Sequence, residues 1–421
     1  MQFKKQVIES NPIEGITTLS MPTGIKDVIT FGGSFLGGGL YSPKSNKKIA
    51  ALTTSMLDKG TESKSKYEIS DLLESVGAEI NFSCTPHHIQ FTGFCLKENL
   101  ETVIQLLGEQ LRTPAFLTEE LEILKTRIKG RLEQSKEDTK KQALIGFLRS
   151  LYPENHPNHR TTTEEAIEQT ENTHIADLKT FHKKYYRAGG FNFAAVGDIG
   201  PTKINDLLKS SFIGWGKKEI PSVDFGLCAH PPREKEKEIH ISEKTSTDTY
   251  IGQAIGINRD HADYYALMIG VYILGGNFSA RLMQTVRDSQ GLTYGIGSAL
   301  SGISFGSDGY WSTWGTFSPE LLTKGKKATM KEISDWYYNG VTSDELEAKK
   351  TTITGAYQVG MDSTGGLVSR LLSNAERGRG IEYLDQYPNI ITDISLDSVN
   401  RAIKQYIDPD KLTTVVAGSF E

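Results

Sequence analysis

The pattern of apolar and polar residues predicts alternating strands and helices in the first half of the chain. Three short apolar runs predict strands: 27–36, 78–84 and 88–96. Two segments predict helices that end near a glycine: 46–59 and 66–76. Two long helices are expected over residues 98–150. Strands joined by short turns, with helices beside them, indicate an α+β fold in which helices pack on one face of an antiparallel-rich sheet.

The second half of the chain repeats this plan. Two predicted helices begin alike, with a threonine or serine N-cap followed by acidic residues: 117–132 and 341–350. Glu120 and Glu345 mark matching positions in these helices and are 225 residues apart. Tyr185 and Tyr406 each precede a strand and are 221 residues apart. Two landmarks with nearly the same offset predict two homologous domains, which a duplication would relate by a pseudo-twofold axis.

A connector separates the two copies. Prolines, glycines and charged residues concentrate in residues 216–237, as in an exposed linker. We therefore expect an N-terminal domain over residues 1–215 and a C-terminal domain over residues 238–421. A chain of 421 residues is also too long for one ordinary core, which favours the same division.

Composition restricts the classes of function. Hydrophobic residues make up 37% and charged residues 24% of the chain, with a net charge of −5 and a pI of about 6.1. Nucleic-acid-binding proteins usually carry a basic face, so this balance argues against that class. No stretch approaches the roughly 18 apolar residues of a membrane helix, so we expect no membrane partner.

The N-terminus and the cysteines bear on the cellular compartment. The first twenty residues are mixed and polar, unlike the apolar core of a signal peptide. Cys84, Cys95 and Cys228 are few, odd in number and far from a zinc-ligand spacing. We expect a cytoplasmic protein, or a periplasmic one if a signal peptide has been removed.

Candidate chemistry lies in residues 275–294. Arg287 closes a helix-like segment and Tyr294 follows a glycine turn. A guanidinium and a phenol are both hydrogen-bond donors at neutral pH, and they suit a carbonyl that becomes an oxyanion. From the local pattern alone, a surface arginine and a tyrosine at the edge of the core remain the alternative.

Several short motifs follow one another along the chain. Residues 56–61 read Met-Leu-Asp-Lys-Gly-Thr, and Tyr152 is followed by His156 and a proline. Val-Gly-Asp ends the first copy at residues 196–198, and Gly-Leu-Thr-Tyr closes the arginine–tyrosine segment at residues 291–294. In these motifs the chain resembles the pitrilysin/insulinase family of zinc metallopeptidases over nearly its whole length.

The zinc motif of that family is degenerate here. Peptide-cutting members carry His-x-x-Glu-His, in which two histidines bind zinc and the glutamate activates water. Ala51 and Ser55 stand at the histidine positions, and Thr54 stands at the glutamate position. Arg131 lies about 76 residues after Ser55, where the family has a third ligand. Glu133, two residues further on, lies on a different helix face and is not expected to replace the lost ligand. We therefore expect this chain to bind no metal.

The resemblance also implies a role for the arginine and the tyrosine. Family active sites lie between two facing halves, and some members divide these halves between two chains. This chain resembles the subunit without zinc: Arg287 would hold a substrate carbonyl, and Tyr294 would donate to the oxyanion. Peptide hydrolysis is then expected only in a heterodimer whose homologous partner carries zinc. The alternatives are a non-catalytic scaffold or a homodimer that binds peptides without cutting them.

Three other patterns predict structure rather than chemistry. His156 and His159 lie in a Pro/Asn loop, where we expect a surface role. Residues 302–306 match a serine-hydrolase pattern around Ser304, but a strand rather than a helix is expected after it. The glycine-rich residues 32–39 lack the Gly-Lys-Ser/Thr of a phosphate loop, so we interpret them as a turn.

Overall fold

The computed structural model describes residues 2–187, 189–215, 220, 229–303 and 306–420. Most of the predicted linker 216–237 therefore lies outside the described residues, as do Cys228 and Ser304. The chain packs into two compact units, each formed by three segments. Unit 1 comprises Met1–Lys129, Ile167–Val223 and Ala356–Pro388, and unit 2 comprises Gly130–Ala166, Asp224–Gly355 and Asn389–Glu421.

Strands of the described part are, in chain order, β1 (Ile8–Ile13), β2 (Ile16–Pro22), β3 (Val28–Leu36), β4 (Glu79–Cys84), β5 (His88–Leu96), β6 (Phe191–Gly197), β7 (Lys235–His240), β8 (Thr247–Ala254), β9 (Gly295–Ser301), β10 (Tyr310–Phe317) and β11 (Thr413–Gly418). Helices are α1 (Phe3–Gln6), α2 (Ile49–Ser55), α3 (Lys66–Ser75), α4 (Leu100–Arg112), α5 (Thr118–Lys136), α6 (Thr139–Leu151), α7 (Thr163–Glu171), α8 (Ile175–Tyr185), α9 (Pro201–Ser211), α10 (Tyr264–Gly275), α11 (Leu322–Asn339), α12 (Ser343–Val359), α13 (Thr364–Ala375), α14 (Glu382–Thr392) and α15 (Leu396–Tyr406).

Each unit contains one mixed sheet. Unit 1 has six strands in the order β1-β2-β6-β3-β5-β4, and unit 2 has five in the order β7-β11-β8-β10-β9. One pair in each sheet is parallel, β2 with β6 and β11 with β7. The other pairs are antiparallel. The predicted α+β fold, with two similar domains built on antiparallel-rich sheets, is confirmed.

Helices cover both faces of the sheet of unit 1, so the prediction that helices pack on one face only was wrong. Successive strand residues point to opposite faces, so Phe31 and Phe35 of β3 join the core beneath the neighbouring helices, and Gly32 faces the other way. A Cβ atom on Gly32 would lie 2.9 Å from Val368 Cγ1 and 3.0 Å from Leu372 Cδ1, both on α13. The absence of a side chain at this residue therefore lets α13 pack directly on the strand.

The sheet of unit 2 is built in the same way. On one face, the ring of Phe147 in α6 packs 5.9 Å from the ring of Tyr250 and 6.0 Å from that of Tyr310. On the other face, the buried Trp311 of β10 stacks on Trp336 of α11 with ring centroids 5.8 Å apart. These aromatic contacts anchor one helical layer on each face of the sheet.

In each unit, one face of the sheet is covered by a helix from the half of the sequence that contributes none of the strands. Helix α6 lies in the first half of the chain but belongs to unit 2, whereas α13 lies in the second half but belongs to unit 1. Phe147 and Leu372 in these helices are 225 residues apart, the same offset as Glu120 and Glu345. The equivalent helices α6 and α13 are thus exchanged between the two units. The homologous domains over residues 1–215 and 238–421 remain a prediction about sequence ancestry, which packing does not decide.

The prediction for residues 98–150 was wrong. Residues 98–150 form three helices, α4, α5 and α6, rather than two long ones. Pro114 has no backbone N–H to continue α4, and Phe116 adopts a positive φ of 48° before α5 begins. Asp138 then caps α6, because its carboxylate accepts a hydrogen bond of 3.0 Å from the Lys141 backbone N–H.

A shorter element replaces the helix predicted over residues 46–59, since α2 ends at Ser55 and turns lead to Gly60. Among the described residues, none of the helices combines the length and the apolar character required to cross a membrane.

Candidate functional site

Arg287 lies in an unusual helical turn of unit 2. The segment Met283–Ser289 is π-helical, and the Gln290 N–H reaches back five residues to the Thr285 carbonyl at 3.1 Å. Gly291 follows with a φ of +61°, a left-handed conformation that favours glycine and ends the segment. Turns of π-helix are rare in proteins overall, but those that occur are frequently found at functional sites. This geometry therefore sets Arg287 apart from an ordinary surface arginine.

The guanidinium of Arg287 lies over two exposed aromatic rings. Its Cζ atom is 5.9 Å from the ring centroid of Phe278 and 5.9 Å from that of Tyr294. Phe278 is 78% exposed and Tyr294 is 89% exposed. We call these three residues the aromatic–arginine cluster. The structure therefore brings the two predicted site residues, Arg287 and Tyr294, together through a cation–π contact.

The backbone at Tyr294 is held in place by the preceding residue, Thr293. Thr293 is buried, and its hydroxyl bonds to the carbonyl of Gly295 at 3.0 Å and to the carbonyl of Thr316. These bonds hold the residue before Tyr294 against the start of β9 and its partner strand β10. The backbone is thus anchored, while the side chain of Tyr294 is exposed to solvent.

A partly buried ion pair supports the start of the π-helical segment. Arg281 donates from Nε to Glu345 Oε1 at 2.6 Å and from a terminal nitrogen to Glu345 Oε2 at 2.7 Å. Burial alone would raise the pKa of Glu345, but hydrogen bonds from Arg281 and the Thr342 backbone N–H lower it overall. A bidentate pair of this kind fixes both direction and distance. Glu345, a landmark of the sequence repeat, therefore has a structural role.

The three degenerate zinc positions on α2 do not form a metal site. Thr54 is only 2% exposed, and its hydroxyl lies 2.9 Å from the Ala50 carbonyl and 3.1 Å from the Tyr186 hydroxyl. Ala51 is exposed but has no donor atom, and Ser55 is half-buried at the end of the helix. These side chains do not fit zinc, which takes nitrogen, sulfur or carboxylate ligands.

The fourth position is a cation. Arg131 lies on α5, is exposed and belongs to unit 2. Within the described ranges, histidine, cysteine, aspartate and glutamate side chains nowhere group in threes that could hold a metal ion. Burial raises the pKa of the Cys84 thiol to about 11, so at neutral pH this cysteine is a protonated thiol rather than a thiolate ligand.

We predict that the purified chain holds no stoichiometric zinc. Alanine, serine, threonine and arginine replace all four groups on which binding would depend, as described above. The measurement is zinc content by plasma emission spectrometry after dialysis against zinc and then against metal-free buffer. A value near one zinc per chain would contradict our interpretation of Ala51, Thr54, Ser55 and Arg131.

His156 is not the surface residue that its Pro/Asn loop predicted. It is buried, its ring stacks on Tyr152 at 4.1 Å, and its Nε2 lies 2.5 Å from Asp308 Oδ1. Its Nδ1 accepts a bond of 3.0 Å from the Asn158 backbone N–H, so the proton sits on Nε2 and points at Asp308. Nε2 therefore joins two loops of unit 2, Nδ1 is used within its own loop, and neither ring nitrogen is left for metal.

Phe278 is a residue to which sequence reasoning gave no role of its own. It lies between the glycine pair and Arg281 in the arginine–tyrosine segment, where an aromatic side chain gives no sign of being exposed. Only the structure shows that its ring faces solvent beside Arg287. The proximity of Phe278 to the predicted pair in the sequence was the one available signal.

Comparisons with known proteins identify the family of this chain. The profile described as insulinase (peptidase family M16) matches residues 27–165, and the profile described as peptidase M16 inactive domain matches residues 174–353. A relative from Helicobacter pylori named non-peptidase homolog YmxG is 25% identical, covering 92% of this chain and 88% of that protein. The uncharacterized zinc protease YmxG of Bacillus subtilis is 24% identical, covering 86% and 87%.

Solved structures share the fold. The peptidase M16 inactive domain from Pseudomonas fluorescens superposes with a TM-score of 0.89 at 23% identity, covering 99% of this chain and 98% of that one. A protease from Helicobacter pylori gives a TM-score of 0.84 at 16% identity, covering 98% and 99%. The two profiles together span about three quarters of the sequence. This chain therefore belongs to the insulinase family, peptidase family M16, and combines a degenerate zinc motif on α2 with the arginine–tyrosine segment.

Proposed function

We propose that this chain supplies Arg287 and Tyr294 to a peptidase site whose zinc and general base are carried by a second, homologous chain. One observation carries the proposal: the half-buried Arg287 and the exposed Tyr294 lie side by side, whereas the positions for zinc hold no side chain that binds zinc. A chain that had lost all catalytic function would have no need to display both donors.

The chemistry of the two side chains suits the electrophilic half of peptide hydrolysis. When water attacks the scissile carbonyl, negative charge develops on the carbonyl oxygen. The Tyr294 hydroxyl would donate a hydrogen bond to this oxygen, and its charge would strengthen that bond in the transition state. Arg287 would bind a neighbouring backbone carbonyl through its N–H groups and hold the peptide in register.

Water activation would remain with the partner. This chain offers no glutamate at the position of Thr54, so neither a general base nor a metal-bound water is expected from α2. Zinc in the partner would polarise the scissile carbonyl and lower the pKa of its bound water. The two chains would thus contribute different groups to a single reaction.

The relatives support the proposal at a coarser level. The Helicobacter pylori relative is named a non-peptidase homolog, and the Bacillus subtilis relative is named a zinc protease. Similar chains thus bear names of both kinds, as a family that divides catalysis between subunits would. The names describe those proteins, and the pairing itself is our proposal.

A peptide-binding homodimer is the second candidate. The observation that favours it is the exposure of the rings of Phe278 and Tyr294, because exposed aromatic side chains often serve as anchors in binding sites. Such a protein would bind peptides through the same cluster without hydrolysing them.

An assay of separate and mixed chains distinguishes the candidates. This chain, a homologous chain with His-x-x-Glu-His from the same genome, and an equimolar mixture would each be incubated with a quenched fluorescent peptide library. We expect hydrolysis only in the mixture. Peptide binding without hydrolysis in every sample would favour the homodimer, and neither activity would favour a scaffold.

A further inference from the structure

We propose that Phe278 is a positioning residue for Arg287, and that Lys349 holds Phe278 in place. This inference rests on the proposed function and deepens it, because it identifies what orients the carbonyl-binding guanidinium. The aromatic–arginine cluster would then consist of one donor pair and one aromatic support.

Lys349 of α12 binds both neighbours of Phe278. Its Nζ donates to Asn277 Oδ1 at 2.9 Å, to the Ser279 carbonyl at 3.0 Å and to Ser279 Oγ at 2.7 Å. An ammonium group has three N–H donors, so these bonds use all of them. The residues immediately before and after Phe278 are therefore tied to one buried side chain, and the ring between them projects in one direction.

The energetics argue against a purely structural role for this arrangement. A phenylalanine side chain that is 78% exposed buries little apolar surface and adds little to the free energy of folding. Lys349, in contrast, is buried, and burial lowers its pKa. Burying an ammonium group is unfavourable unless it is fully hydrogen-bonded. A buried lysine whose hydrogen bonds hold an exposed phenylalanine in place is typical of an interaction site.

The guanidinium of Arg287 has aromatic neighbours and an acidic neighbour that compete for it. This competition explains why the ring of Phe278 would matter. The guanidinium lies over Phe278 and Tyr294, but its NH1 atom is also 3.5 Å from the carboxylate of Asp288. With only Tyr294 as support, the guanidinium could turn towards Asp288 and away from a peptide carbonyl. A second ring restricts its orientation and lowers the entropy that substrate binding must remove.

Steady-state kinetics of the reconstituted pair tests this role. A carbonyl held by Arg287 is bound in both the ground state and the transition state, so loss of its orientation raises KM and leaves kcat nearly unchanged. We expect Phe278→Ala to raise KM about tenfold, with kcat within about twofold. Lys349→Met should act in the same direction. Phe278→Tyr should restore the wild-type KM, whereas Phe278→Leu, which keeps bulk but lacks a ring, should not.

A second measurement needs only the isolated chain. Phenylglyoxal modifies accessible guanidinium groups, and peptide mass mapping gives the rate at each arginine. We expect Phe278→Ala to increase the rate at Arg287 about threefold or more, because one covering ring is lost. Arg401, an exposed arginine of the same unit, is the internal control and should react at the same rate in both proteins.

The two measurements separate the inference from the proposed function. If wild-type chains show no activity when mixed, the proposed function fails, and phenylglyoxal alone decides whether Phe278 orients Arg287. Where the mixture is active, an unchanged KM in both Phe278→Ala and Phe278→Leu would overturn the inference. An unchanged modification rate at Arg287 would overturn it in either case.

Discussion

Replacing Tyr294 with phenylalanine is expected to lower the turnover of the reconstituted pair by about 100-fold, since removal of one oxyanion donor costs about 3 kcal/mol of transition-state stabilisation. The substitution removes only the hydroxyl oxygen. Because Tyr294 is 89% exposed, the fold should not depend on that oxygen. The ring also remains beside Arg287, so the loss should appear in kcat rather than in assembly of the two chains.

The control for this experiment is Tyr338→Phe. Tyr338 is also an exposed tyrosine of unit 2, at 61%, and it lies on α11. Both variants would be compared by single-turnover hydrolysis of the same peptide, with complex formation measured by size-exclusion chromatography. Wild-type turnover in Tyr294→Phe would remove the tyrosine from the proposed mechanism. A loss of equal size in Tyr338→Phe would show a general effect rather than a catalytic one.

Replacing Phe147 with alanine should destabilise unit 2 by about 3–5 kcal/mol, although Phe147 lies in the first half of the sequence. Its side chain is fully buried and packs on Tyr250 and Tyr310, so truncation leaves a cavity under β8 and β10. Hydrogen–deuterium exchange with peptide resolution is the appropriate measurement. Faster exchange is expected in residues 247–254 and 310–317.

Leu372→Ala is the matched variant, because Leu372 occupies the equivalent position in α13. It packs towards Gly32 of β3, and its truncation should cost about 2–5 kcal/mol. Here exchange should increase in residues 28–36 and 191–197 of unit 1. If each variant instead loosened the sheet of its own sequence half, the exchange of α6 and α13 between units would be wrong.

Local pattern was sufficient for much of the architecture. The strand predicted at residues 88–96 has those bounds in β5, and the helix predicted at 66–76 corresponds to α3. Such elements depend on alternation of apolar residues and on caps, both of which are visible in a short window. The nearly equal offsets of Glu120 to Glu345 and of Tyr185 to Tyr406 also predicted the repeat, because an offset does not require knowledge of packing.

Features that depend on distant partners could not be predicted. The helices α6 and α13 have ordinary amphipathic patterns, which do not specify which sheet receives them. His156 was assigned to the surface because it lies in a Pro/Asn loop. Its carboxylate partner, Asp308, is 152 residues away and is not visible in the local pattern. Tertiary contacts of this kind decide burial, and local propensity contains no information about them.

In the candidate site too, some features could be predicted from the sequence and others could not. Loss of zinc ligands followed from side-chain identity at Ala51, Thr54 and Ser55, since alanine and hydroxyl groups are poor or impossible ligands in any conformation. The orientation of Arg287 did not follow from its identity. It depends on a π-helical turn and on a ring displayed by a lysine of α12, and neither feature has a signature in the sequence.

Titration of this chain into a fixed concentration of its zinc-bearing homologue tests the central claim most directly. The rate of peptide hydrolysis would be measured at increasing ratios of the two chains. We predict a rate near the background without this chain, which rises and saturates at one chain per zinc-bearing partner. A rate that stays the same across the whole titration would contradict the claim that Arg287 and Tyr294 complete the partner's active site.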